Sequence, residues 1–468
     1  MPEIFPNEPF VESPHVLHSK DVLGHPKGFW VLVLTEAFVA FSLYGMQAIL
    51  VIYLMDQLLL PGHIEHVWGI NSLLGLVGFL YAPSGIQATA GAITGLFLAI
   101  AFATPLLGGI IADRFLGRTK TIIIGSVLMT IGHILMLFDW GLVFAILFIL
   151  IGIGATGALK SQVGSLYALD DQRRSDAYQI YVLGIQIAVI ISPALCAFLA
   201  QKAWDWGFLV AGIGMLIGLV IYLSGLSWLP KDEIVKKNTK TKQPSLSLRE
   251  KKATFLLIFL IPVMAISALT NQELSDGYLL WGREHYQKTL FGHPFPISSL
   301  VSWDGLISSI TGVVVFKFLH IYARYKPDSS EITKVTIGAF IIVLAPIVLA
   351  FASYLHPQPH GVSLYWGLLF HTINDIGTAL TYALGMALYS RAAPKSLNTM
   401  LISCFSLQFC ISSLLVGKLS TLIGQVNDVS FWLFHAGTAL FAALILLACN
   451  IFFYNLLAPE TSEVTEKA

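Results

Sequence analysis

Residues 108–120 read GGIIADRFLGRTK. Apolar residues run for a full membrane width before this stretch and resume directly after it, so it is the short turn between two long hydrophobic helices. Glycines let the backbone turn tightly there. Asp113, Arg114 and Arg118 are placed to make charge-assisted contacts that hold helix ends together in one conformer. A turn of this kind belongs in a chain built from membrane helices, and the rest of the sequence agrees.

Hydrophobic residues make up 56% of the 468 residues, charged residues only 12%, and the mean hydropathy is +0.76. Soluble domains carry about a quarter of their residues as charges; this composition is that of a membrane protein in a lipid bilayer. The formal net charge is zero, so bulk charge names no partner, and no nucleic-acid partner is expected. Cys196, Cys404, Cys410 and Cys449 lie in apolar stretches without a CxxC or Cys/His pattern and read as small buried hydrophobes. Residues 1–27 are polar, carry five prolines, and lack the apolar core and cleavage site of a secretory signal.

Working outward from the quoted turn, apolar runs long enough to span fall near 29–55, 87–112, 119–138, 142–160, 177–200, 206–229, 253–281, 298–321, 333–354, 363–390, 397–423 and 429–456, twelve in all. Basic residues gather at alternate loops: Arg114 and Arg118, then Arg173 and Arg174, Lys236 to Lys242, Arg324 and Lys326, Arg391 and Lys395. By the positive-inside tendency these loops and both termini face the cytosol of an inner or plasma membrane. The polar stretch 231–252, KDEIVKKNTKTKQPSLSLREKK, parts six runs from six and is too short to hide two further spans. The expected organisation is a cytosolic tail 1–27, a six-helix bundle 28–229, a basic cytosolic linker 230–252, a second six-helix bundle 253–458 and a cytosolic tail 459–468. Two such bundles with a site between them near mid-membrane is a known transporter plan.

The quoted turn resembles the loop between the second and third helices of major facilitators, and in the form ADRFLGR it is similar to the proton-dependent oligopeptide transporter family; Gly109, Asp113, Arg114, Gly117 and Arg118 are its candidate conformational residues. GHPKGFW at 24–30 with TEAFVAFSLYGMQAILVIYL at 35–54, GALKSQ at 157–162 with the following DDQRRSDAYQIYVLGIQIAVIISP, and WDWGFLVAGIGMLIGL at 204–219 resemble the same family. The resemblance covers the first half and, more faintly, the second. It implies an all-α major facilitator fold of twelve transmembrane helices in two bundles, and a peptide-like substrate.

The departures fall on functional positions. The family opens its first helix with Glu-x-x-Glu-Arg-Phe-x-Tyr-Tyr-Gly and an Arg two residues on; of those polar positions Glu36 and Tyr44 are kept, while Val39, Ala40, Leu43 and Gln47 replace the others. Lys160 keeps the family's lysine, followed by Ser161 and Gln162 in place of Pro-Asn. Gln186 replaces the fifth-helix Asn. In the seventh helix Asn271 stands at the family's glutamate, followed by the matching Gln272, with Glu273 and Asp276 nearby. In the tenth, Thr378 stands at the glutamate that holds a peptide's amino terminus, three residues after Asp375.

Glu36 is the one charged residue between 35 and 54, and with Ala40 and Gln47 it falls within about 40° on a helix, Tyr44 on the flank. A charge at mid-membrane costs on the order of 3 kcal/mol, so Glu36 needs a cavity or a partner. The resemblance puts Lys160 on a neighbouring helix. Glu36 and Lys160 are then the candidate proton-coupling pair, with a permanent ion pair as the alternative. His371, Asp375, Thr378 and Tyr382 descend one face of the tenth helix, suited to a substrate ammonium or to helix-to-helix hydrogen bonds. Glu273 and Asp276 belong either to the cavity mouth or to a helix already leaving the bilayer. His133 reads as a satisfied core histidine, and GIGATG at 152–157 as close helix packing.

Together these residues imply a secondary transporter importing di- or tripeptides or peptide-like solutes by proton symport. Its candidate substrate-binding residues are Tyr44, Gln47, Lys160, Gln186, Asn271, Gln272, Asp276, Asp375 and Thr378. The alternative is a divergent facilitator or exporter of another solute with weakened coupling; a non-transporting receptor is the third class. No nucleophile motif, phosphate loop or metal cluster is present in the sequence, so no enzyme, metal or cofactor beyond the coupling proton is expected, and the unit is expected to work as a monomer.

Overall fold

The computed structural model describes residues 21–167, 173–232, 246–325, 330–394 and 397–457. Residues 1–20, most of the 231–252 linker and residues 458–468 lie outside the described residues. The first group of helices is α1 (Lys27–Tyr53), α2 (Ile70–Tyr81), α3 (Ile86–Ile111), α4 (Arg118–Leu135), α5 (Leu142–Ser165), α6 (Arg173–Ala200) and α7 (Trp204–Ser224). The second is α8 (Leu248–Ser267), α9 (Leu269–Gln272), α10 (Gly277–His285), α11 (Leu300–Tyr325), α12 (Glu331–Leu355), α13 (Leu364–Ala392), α14 (Asn398–Phe405), α15 (Leu407–Leu419) and α16 (Asp428–Leu457). A two-residue hairpin, β1 (Thr289–Leu290) with β2 (His293–Pro294), joins α10 to α11.

Among the described residues nine helices are long and apolar enough to cross a membrane, ten if the bent pair formed by α8 and the turns from Leu269 to Ser275 is one span. Two of the twelve expected spans, α4 and α13, are present as long helices outside that set. Arg118 and Lys120 open α4, and His371, Asn374 and Asp375 interrupt α13. Prolines sit inside α3, α6, α8 and α12, tolerated because neighbouring helices re-satisfy the freed backbone groups. The α8 start is fixed by a reciprocal cap in which Ser247 and Glu250 bond each other's backbone N–H.

Within the first bundle α1 packs on α6 and α7, and α5 on α3 and α4; within the second α12 packs on α13 and α16. Small residues set these approaches. A Cβ on Gly108 would stand 1.8 Å from the Gly154 carbonyl oxygen, and one on Gly125 2.2 Å from Ala155 Cβ, so the glycines of 152–157 are packing residues. Two seams join the bundles, α3 against α15 and α6 against α11.

At the quoted turn, Gly117 has φ of 84°, a left-handed value glycine adopts without strain. Arg118 Nε donates to Asp113 Oδ1 at 3.1 Å. Asp232, read from sequence as part of the linker, instead caps α4: its carboxylate accepts from the Thr119 N–H at 2.9 Å. Gln162 bonds Thr119 Oγ1 and accepts from the Tyr222 hydroxyl, tying α5 and α7 to the same turn. Gly109 faces open space, and Gly108 makes the close approach. The Asp113–Arg118 pair is exposed and worth about 0–1 kcal/mol to stability. Asp113→Asn should therefore leave the melting temperature within about 2 °C of wild type while transport falls severalfold; wild-type turnover at normal expression would remove Asp113 from the cycle.

Candidate functional site

Glu36 sits one third of the way along α1, half-buried, with Oε2 buried and unpartnered. Its electrostatic neighbours are Lys160 of α5 and the Tyr181 hydroxyl of α6. The two side chains expected to pair are thus brought to one place, but among the described residues no Glu36–Lys160 contact reaches ion-pair distance. Lys160 is exposed. Tyr44, two turns further along α1, is half-buried between Glu36 and, from the second bundle, Tyr382 and Asp304.

Asp304 is the residue that sequence reading missed. It is the one acid of α11, and its Oδ1 lies 3.0 Å from His371 Nδ1 on α13. His371 Nε2 meets the Tyr278 hydroxyl at 3.0 Å, which meets the Tyr286 hydroxyl at 3.2 Å. Asp375, one turn below His371, is buried against Asp304 and takes a 3.4 Å contact from Asn374 Nδ2, with Oδ2 unpartnered. Thr378 Oγ1 is buried and unpartnered below it. The polar stripe of α13 is therefore one wall of a two-carboxylate site whose second acid comes from α11. The lone-acid argument that singled out Glu36 applies equally to WDG at 303–305.

Gln186 Nε2 bonds Ser309 Oγ across the α6–α11 seam at 3.2 Å. Gln47, Gln272 and Asp276 lie elsewhere, toward the membrane face opposite the start of α1. Gln47 Nε2 donates to Ser275 Oγ across the bundles at 2.9 Å, Gln272 Oε1 accepts from Ser413 Oγ at 3.2 Å, and Asp276 is fully buried. Asn271 is half-buried beside Gln272. Here α3 and α15 meet backbone to backbone: a Cβ on Gly95 would stand 2.3 Å from Gly417 Cα. Lys418 Nζ donates to the Tyr81 carbonyl, and Arg283 Nη2 pairs with Asp56 Oδ1 at 2.7 Å. The bundles are closed on this far side. Below the closure, Phe102 of α3 meets Phe409 of α15, which packs on Tyr382.

At the same face His285 Nε2 lies 2.9 Å from Asp428 Oδ2. Burial alone pushes the imidazole down, but the Asp428 hydrogen bond, the Trp281 carbonyl and the charges of Asp428 and Glu284 together hold it above its ordinary 6.5. The stability this pair contributes is complete below 6.5 and is lost as pH rises through the higher folded value. The melting difference between wild type and His285→Asn should accordingly shrink as the buffer moves from about pH 6 to about pH 8.5; a constant difference would mean that the contact is not ionic.

The helical plan and the paired bundles have counterparts in known proteins. The model of the Major Facilitator Superfamily matches residues 84–417; the chain belongs to that superfamily. A di-/tripeptide transporter of Lactococcus lactis subsp. cremoris is 24% identical over 92% of this chain and 96% of its own length. The peptide transporter YePEPT of Yersinia enterocolitica is 25% identical over 73% of this chain and 60% of its own. A crystal structure of a peptide transporter POT in complex with sulfate superposes with a TM-score of 0.82 at 20% identity, covering 94% of this chain and 97% of that one. Within the superfamily, these similarities fall on di-/tripeptide and POT peptide transporters.

Proposed function

We propose that the protein imports di- or tripeptides, or peptide-like solutes, by alternating access driven by proton symport. The observation that carries this reading is the charge layout between the two bundles. Lys160 is presented from the first bundle, the Asp304–Asp375 pair from the second, and Tyr44 stands between Glu36 and Asp304. That layout fits a zwitterion with its carboxylate toward Lys160 and its ammonium toward the two acids. Closure on one face, with cross-bundle contacts at Gln47–Ser275, Gly95–Gly417 and Asp56–Arg283, fits one end state of such a cycle. Basic residues at the opposite face support a cytosolic opening with both termini inside.

The test is a thermal-shift screen of purified protein against free, N-acetylated and C-amidated dipeptides. A ligand at a hundred times its Kd should stabilise by about 2.7 kcal/mol. Asp375→Asn should weaken ligands with a free ammonium by tenfold or more, about 1.4 kcal/mol, and acylated ones far less; equal losses would assign Asp375 to helix packing. A second reading, a facilitator without coupling, is favoured by Val39 and Ala40 at the family's Glu and Arg. Uptake in liposomes that equilibrates and ignores a protonophore would select it.

A further inference from the structure

Asp276 falls where the turn Glu273–Ser275 breaks before α10, at φ −138° and ψ −105°. Its side chain is fully buried, and among the described residues only the Ser420 hydroxyl approaches its carboxyl oxygens, without completing a hydrogen bond by geometry. The wall in front of it belongs to the other bundle: a Cβ on Gly91 of α3 would stand 3.0 Å from Asp276 Oδ1 and 2.5 Å from Ser420 Cβ. Behind it Glu273, also fully buried, has Oε1 2.9 Å from His435 Nε2 of α16 and Oε2 unpartnered.

The groups facing Asp276 are few. From its own segment there is Glu273, from the turn after α15 there is Ser420, and from the end of α2 there is Tyr81, whose hydroxyl is buried and unpartnered. Lys418, two residues before Ser420, is directed to the Tyr81 carbonyl. Among the described residues no ion pair reaches Asp276. His435 is already bonded to Glu273 and does not reach Asp276.

Burying an unpaired charge next to a second acid costs several kcal/mol. The closed seam therefore accepts Asp276 as the neutral acid. When α3 swings away, Gly91 leaves, water reaches the carboxyl, and the charged form is tolerated. Binding a proton and closing the seam are then one event.

We propose that Asp276, backed by the Glu273–His435 pair, is a proton-binding site built into the far-side seam, which closes on the protonated acid and opens as the proton departs. This rests on the alternating-access reading above and adds a second proton site, distinct from Glu36. A proton taken from the far side would license closure, and Glu36 would act within the cavity thereafter.

The seam is read without substrate. Spin labels carried by non-canonical residues at Asn71 on α2 and His293 in the hairpin, both exposed, report the distance between the bundles' far ends in nanodiscs. In wild type the closed-to-open ratio should fall as pH rises between about 5 and 8, at most tenfold per pH unit for one proton. Asp276→Asn, neutral and nearly isosteric, should stay closed throughout, with the ratio moving less than about twofold. If that variant fails to accumulate, Asp276→Ser serves the same purpose. A wild-type distance indifferent to pH, or a neutral variant that titrates like wild type, overturns the proposal. If instead no peptide binds while the seam still titrates through Asp276, the substrate reading fails and this one stands.

Discussion

Gly95→Val should cut transport by about ten- to a hundredfold while the protein continues to fold and reach the membrane. The new Cβ would stand 2.3 Å from Gly417 Cα, 2.6 Å from Gly417 N and 3.0 Å from the Ser413 carbonyl oxygen. All three are backbone atoms, so no rotamer change relieves the clash. Overpacking of this kind costs about 1–3 kcal/mol, charged only to the state in which α3 and α15 touch. The closed-to-open ratio on the far side should drop by about ten- to a hundredfold. Turnover should fall with it, because the cycle must pass through that closure. Substrate uptake at matched expression is the measurement, with far-end label distances as the control. Wild-type uptake would mean that the seam closes some other way.

The second large effect is expected at Glu36. Glu36→Gln keeps the shape of the side chain and removes its proton chemistry, so ligand binding should remain measurable while uptake no longer responds to an imposed pH gradient. Lys160→Ala should damage both, because the exposed ammonium is also the cavity's candidate partner for a substrate carboxylate. In this conformer the two side chains are neighbours without a direct ion pair. That separation is what an exchange of partner for proton requires in one of its states. Gradient-driven uptake by Glu36→Gln at the wild-type rate would reduce Glu36 to a packing residue.

How much of this was legible beforehand differed by the range of the interaction. The loop at 108–120 and the spacing of apolar runs are local signals, and they pointed to the right fold. Glu36 was legible because a lone acid in an apolar helix needs a reason, and Asp304 was overlooked although it satisfies the same test. Spans α4 and α13 met the helical expectation yet fall outside the set apolar enough to cross, because the residues that interrupt them are the loop's cations and the site's His371, Asn374 and Asp375. Helical phase put Gln47 on the Glu36 stripe and left Asp276 between the cavity mouth and a helix leaving the bilayer. Gln47 meets Ser275 and Asp276 meets Gly91 of α3, partners far away in sequence that no local pattern carries.

The seam itself has a consequence for the cell's electrical insulation. Where Gly95 meets Gly417, backbone touches backbone with no side chain between them, so a file of water has no room to thread the closed face. A protein that holds an open aqueous cavity on one side must be watertight on the other, or every idle molecule would drain the ion gradients that energise the membrane. Small residues give that tightness without a flexible plug. Substitutions that only loosen the contact should therefore show first as a substrate-independent proton leak in sealed liposomes, before any loss of uptake is seen.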